Sequence, residues 1–112
     1  MTTTKIRLEN SVKKLVQFLQ GEIPIKDYFG EIESKIKAEA LINNALDITY
    51  KIQSDRELLD FELTVGFGGP NIWCDSRFAY GTWGSDSIQV EYKDNIDLYD
   101  AIEEMYQTTT NT

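Results

Sequence analysis

The chain has 112 residues, is 41% hydrophobic and 27% charged, and carries a formal net charge of −8 with no histidine. That length suits one domain, 1–112, with a core of its own, and the missing histidine removes the commonest general base and metal ligand. The single cysteine, Cys74, cannot form an internal disulfide.

The acidity is uneven. Residues 1–54 carry eight Lys or Arg against seven Asp or Glu, whereas residues 55–112 carry three against twelve. Direct attraction to nucleic acid is disfavoured, since phosphate contacts need cationic side chains. A basic protein partner is the natural converse, with solubility as the plainer use of the same charge. The sequence contains no apolar run long enough to span a membrane, and MTTTKIRLEN lacks the apolar stretch of a secretory signal. With the lone cysteine, these features point to the reducing cytoplasm of a host cell.

Residues 1–4 are expected to be flexible, with Thr3 or Thr4 capping the first helix. Leu8, Val12, Leu15, Val16 and Leu19 fall at helical spacing opposite Lys13, Lys14 and Gln17. Gly21 marks the stop of that helix. Ile23 precedes Pro24 and is therefore extended, and Asp27 to Gly30 forms a short helical turn or a loop. The longest helix is expected from Glu31 to about Ser54. Ile32, Ile36, Leu41, Ala45, Ile48 and Ile52 form its stripe, widened by Ala38 and Ile42.

Residues 61–92 hold both tryptophans, the cysteine and most of the glycines. Phe61, Leu63, Val65 and Phe67 alternate with polar or small residues, which predicts a half-buried strand. Gly66-Phe67-Gly68-Gly69-Pro70-Asn71 then breaks it and predicts a turn. A second strand is expected from Ile72 to about Phe78, and a last one over Ile88, Val90 and Tyr92. Gly81 and Gly84 mark corners or a bulge between them. Asp94 or Asn95 caps a final helix ending near Gln107, with a flexible tail at 108–112. The expected fold is α+β: two N-terminal helices and one C-terminal helix packed on one side of a three- or four-stranded antiparallel sheet.

A catalytic kit is not visible. Arg77 is the only basic residue near Cys74, so packing suits the thiol better than nucleophilic attack. Gly66-Phe67-Gly68-Gly69 matches neither phosphate-loop pattern and no helix follows it. Neither a cofactor nor a metal is implied, although a carboxylate-based, metal-dependent enzyme remains one alternative. Phe61, Phe67 and Tyr92 suit the core. If Ile72 and Cys74 face inward, Trp73 and Asp75 face outward, and Tyr80 or Trp83 is exposed with them. Trp73, Tyr80 and Trp83, together with Asp75, Asp86, Glu91, Asp97, Asp100, Glu103 and Glu104, are the candidate partner-binding residues.

The segments Gly68-Gly69-Pro70-Asn71-Ile72-Trp73 and Tyr80-Gly81-Thr82-Trp83-Gly84 resemble small proteins of phages and other mobile elements. The overall profile, a short acidic domain with helices beside a small sheet, is similar to that of anti-CRISPR proteins. That resemblance implies an inhibitor that binds a Cas effector or another defence complex, its carboxylates occupying a basic cleft made for nucleic acid. The alternative from the same profile is a structural or regulatory phage or plasmid protein acting as a homodimer.

Overall fold

The computed structural model describes residues 3–110. The backbone runs through α1 (Thr3–Leu19), α2 (Ile25–Phe29), α3 (Lys37–Asn43), β1 (Asp47–Ile52), β2 (Leu58–Gly66), β3 (Asn71–Cys74), β4 (Phe78–Trp83), β5 (Asp86–Glu91) and α4 (Leu98–Thr110). The strands form one antiparallel meander in the order β1-β2-β3-β4-β5. The architecture is α+β, with five strands instead of three or four and three helices before the sheet instead of two.

Helix α1 buries Leu8, Val12, Leu15, Phe18 and Leu19 and leaves Lys13, Lys14 and Gln17 outside. Gly21, at φ +76°, ends it. The amide of Gly21 donates to Phe18 O at 3.0 Å and that of Glu22 to Gln17 O at 2.8 Å. These are the two bonds of a Schellman stop, which needs a left-handed residue where glycine stands. The helix extends to Thr3, so the caps expected at Thr3 and Thr4 are not where it begins, and residues 1–2 and 111–112 lie outside the described part. Residues 108–110, expected as loose tail, continue α4.

The long helix expected over 31–54 is not formed. Only Lys37–Asn43 is helical. Asn44 closes it, its amide donating to Ala40 O at 3.2 Å and its side chain to the same oxygen at 2.8 Å. Asp47–Ile52 is instead a strand paired to β2, with Ile48 opposite Leu63 and Tyr50 opposite Phe61. Ile48 and Ile52 satisfy a helical spacing and a strand alternation equally. The β-branched and aromatic run Ile48-Thr49-Tyr50 favours the strand, and β2 supplies a partner for it.

The helices lie on one face of the sheet. Leu8 and Val12 of α1 lie against Gly81 of β4, while Tyr106 of α4 packs on Tyr50 with ring centroids 5.1 Å apart. Phe61, Leu63, Ile72, Cys74 and Ala79 supply the buried sheet side of this core. A β-carbon at Gly81 would come within 2.6 Å of Val12 Cγ2 and 2.7 Å of Leu8 Cδ1, so that glycine sets how closely α1 approaches. Gly81 is therefore interior to β4 and not a corner.

Candidate functional site: the open face of the sheet

Burial alternates along β3, where Ile72 and Cys74 are buried and Asn71 and Trp73 are half-buried. Trp73 thus projects from the face opposite the helices, and the same parity carries Asp60, Glu62, Phe78, Tyr80, Thr82, Gln89 and Glu91 there. Among the described residues, no helix packs on this face.

Trp73 and Tyr80 are direct cross-strand neighbours. Their rings are stacked, with centroids 5.2 Å apart and planes 14° apart. Phe78 follows at 6.1 Å from Tyr80, and the Arg77 guanidinium lies 5.3 Å over the Phe78 ring. A shallow hollow of about 240 Å³ opens beside the stack, floored by Gly81 and Ile88 and walled by Thr82, Ser87 and Gln89.

The corner between β3 and β4 is built around Asp75. Its Oδ1 accepts the amides of Arg77 at 2.8 Å and Phe78 at 2.7 Å, and its Oδ2 accepts the Tyr80 hydroxyl at 2.6 Å. The Tyr92 hydroxyl donates to the Asp75 carbonyl from the core side. The strand expected to run from Ile72 to Phe78 therefore stops at Cys74, because Asp75 satisfies the amides that would continue it. Asp60, which the sequence did not single out, holds the same corner. Its Oδ1 accepts the amides of Phe61 at 2.8 Å and Ser76 at 3.1 Å. Asp60 sits beside a bulge, where the pairs Lys51–Asp60 and Ile52–Leu58 skip Leu59. The strand pattern is broken there, which hid its outward position.

Among the described residues, Lys51 pairs with Glu62 at 3.4 Å and Arg77 with Glu91 at 3.1 Å on this face. Asp60 and Asp75 are held by amides and a hydroxyl, so the face keeps a negative balance. Partial burial, then the bond to Asp75 and the nearby carboxylates, push the Tyr80 hydroxyl up to about 12. It is a hydrogen-bond donor at neutral pH. Burial first, and the Asp75 charge second, push the Cys74 thiol far above its ordinary range. Cys74 is fully buried, and it stays protonated and weakly nucleophilic. Among the described residues, no group of three or more Cys, Asp or Glu gathers to hold a metal ion. No helix there is long and apolar enough to cross a membrane.

The candidate residues fall in three places. Trp73, Asp75, Tyr80 and Glu91 share the open face. Trp83 and Asp86 face each other across the β4–β5 hairpin, with Trp83 packed against the helix-side core instead of exposed on the open face. Asp97, Asp100, Glu103 and Glu104 belong to α4 and the residue before it, on the helix side, where Leu98, Ile102 and Tyr106 bury the helix. Asp75 and Glu91 and the helix acids therefore occupy opposite sides of the molecule. Phe67, expected in the core, is 78% exposed. The register shifts between Thr64 and Gly66, β2 ends there, and Phe67 is carried into the turn. Comparison with protein-family models, curated proteins and solved structures gave no match to this chain.

Proposed function

We propose that this chain acts by binding, and that its open sheet face docks into a cationic cleft of a nucleic-acid-handling protein, blocking that cleft as an anti-CRISPR inhibitor would. The Trp73–Tyr80 stack among Asp60, Glu62, Asp75 and Glu91 carries this reading. Flat aromatic rings offer contact area at low entropic cost and favourable faces for guanidinium groups. The surrounding carboxylates favour Arg and Lys and repel phosphate.

The acidic α4 is not needed for this docking. Its charges lie behind the sheet and act on the partner only at long range, where salt screens them.

The test is titration of the chain into a purified CRISPR effector, with and without its guide RNA, at two salt concentrations. Binding to the RNA-free effector should fall with salt and compete with nucleic acid. Trp73→Ala should weaken it by about tenfold or more, as expected of a central aromatic contact. Binding that ignores salt and Trp73→Ala, or that needs the α4 carboxylates instead, overturns the proposal.

A further inference from the structure

The geometry points to self-association through β1, two copies of this chain pairing antiparallel along their exposed edge strands with Thr49 opposite Thr49. This contact uses none of the aromatic residues of the open face, so it stands or falls separately from the docking proposed above.

β1 is an edge of the sheet, bonded to β2 on one side only among the described residues. Alternate amides and carbonyls along its other side have no ladder partner, and such an edge is a template for another strand. The residues Leu46-Asp47-Ile48-Thr49-Tyr50-Lys51-Ile52 alternate apolar and polar symmetrically about Thr49, with the opposite charges Asp47 and Lys51 at equivalent places. Antiparallel pairing about Thr49 sets Asp47 opposite Lys51 of the second copy and Lys51 opposite its Asp47. It sets Ile48 opposite Tyr50 and Leu46 opposite Ile52. Each cross-strand pair is one that antiparallel sheets favour.

Burial fits the same register. Leu46 is 61% exposed and Ile52 50%, and this contact covers both. Ile48 and Tyr50 already pack against the core from the helix side, so pairing carries that core across the junction. Lys51 reaches Glu62 of its own β2 at 3.4 Å, and Asp47 of the second copy would sit on its other side.

The opposite edge lacks this property. Opposed residues of an antiparallel pair share a face, so self-pairing of β5 centres on Ile88, with Asp86 opposite Val90, or on Gln89, with Ser87 opposite Glu91. Neither register forms an opposite-charge pair. Complementary charge pairs therefore favour self-pairing at the β1 edge and not at β5.

A single strand pair buries little area, so the dimer is weak and concentration-dependent. Sedimentation equilibrium over a dilution series should show the mass rising from 12.9 kDa towards twice that value. Asp47→Lys and Lys51→Asp should each weaken dimerisation by about tenfold, because both symmetric pairs become repulsive. The double variant restores the pairs in reversed order and should return the affinity to within about threefold of wild type. In the unmodified chain, raising the concentration should slow amide exchange along Asp47–Ile52 and leave β5 unchanged. A monomer at every concentration, a dimer indifferent to both single substitutions, or protection appearing elsewhere overturns the inference.

Discussion

Tyr80 donates its hydroxyl to Asp75 Oδ2 at 2.6 Å, so the aromatic stack of the open face is tied to the turn that shapes it. The same carboxylate accepts two amides through its other oxygen. Asp75→Ala leaves those amides without their acceptor and should cost about 1–3 kcal/mol, while Tyr80→Phe loses one half-exposed bond and should cost about 0.5–1.5 kcal/mol. Urea unfolding measures both. A Tyr80→Phe loss equal to that of Asp75→Ala would mean that the turn depends on the hydroxyl and not on the amides.

Alkaline pH should unfold the chain through its tyrosines. Burial pushes Tyr28 up to about 12, and Tyr80 reaches about the same value. Burial also raises Tyr92 and Tyr99. All four start from an ordinary value of 10.0, and the folded chain holds each proton more tightly than the unfolded one. The stabilisation from Tyr28 and Tyr80 is therefore complete below pH 10 and lost as the pH rises through about 12. Urea midpoints measured across this window should fall with pH, and Tyr28→Phe should flatten the slope. A midpoint that holds or climbs through the window contradicts the assignment.

Local chemistry was the legible part of the sequence. The stop at Gly21, the Gly68–Asn71 turn, the outward placement of Trp73 and Asp75, and the strand over Ile88 and Val90 each depend on a few neighbouring residues. Strand β1 was not legible, because Ile48 and Ile52 fit two periods and only the Phe61–Leu63 partner decides between them. The site was half legible for a similar reason. Asp75 and Asp100 look alike in sequence, but helices cover only one face of the sheet and so place them on opposite sides. Asp60 was missed because the bulge at Leu59 breaks the alternation that would have placed it outward. Gly81 resembled a turn residue, since its reason for being glycine lies in α1.

That contact gives the next expectation. A methyl group at Gly81 meets Val12 Cγ2 at 2.6 Å and Leu8 Cδ1 at 2.7 Å, in a core where both side chains are fully or almost fully buried. Gly81→Ala should therefore destabilise the fold by about 1–3 kcal/mol through overpacking. Val12→Ala removes the nearer methyl groups and should be less damaging in the Gly81→Ala background than in the wild type. A double-mutant cycle of urea midpoints reads the coupling, and strict additivity would show that α1 does not rest on Gly81.

Asp94 controls the entry to α4. Its Oδ1 accepts the amides of Ile96 at 3.2 Å and Leu98 at 3.0 Å, and its Oδ2 accepts that of Tyr99 at 3.0 Å. Leu98 and Tyr99 are the first two residues of the helix, whose amides have no partner within it. The carboxylate also lies at the positive end of the helix dipole. Asp94→Ala should cost about 1–2 kcal/mol, and Asp94→Asn less, because an amide oxygen still accepts. The nearby Asp97, at φ +57° in the residue before the helix, has an exposed side chain. Asp97→Asn should change stability by less than about 0.5 kcal/mol. Amide exchange at Leu98 and Tyr99 separates the two roles. It should quicken in Asp94→Ala and stay unchanged in Asp97→Asn, and the reverse pattern would move the cap to Asp97.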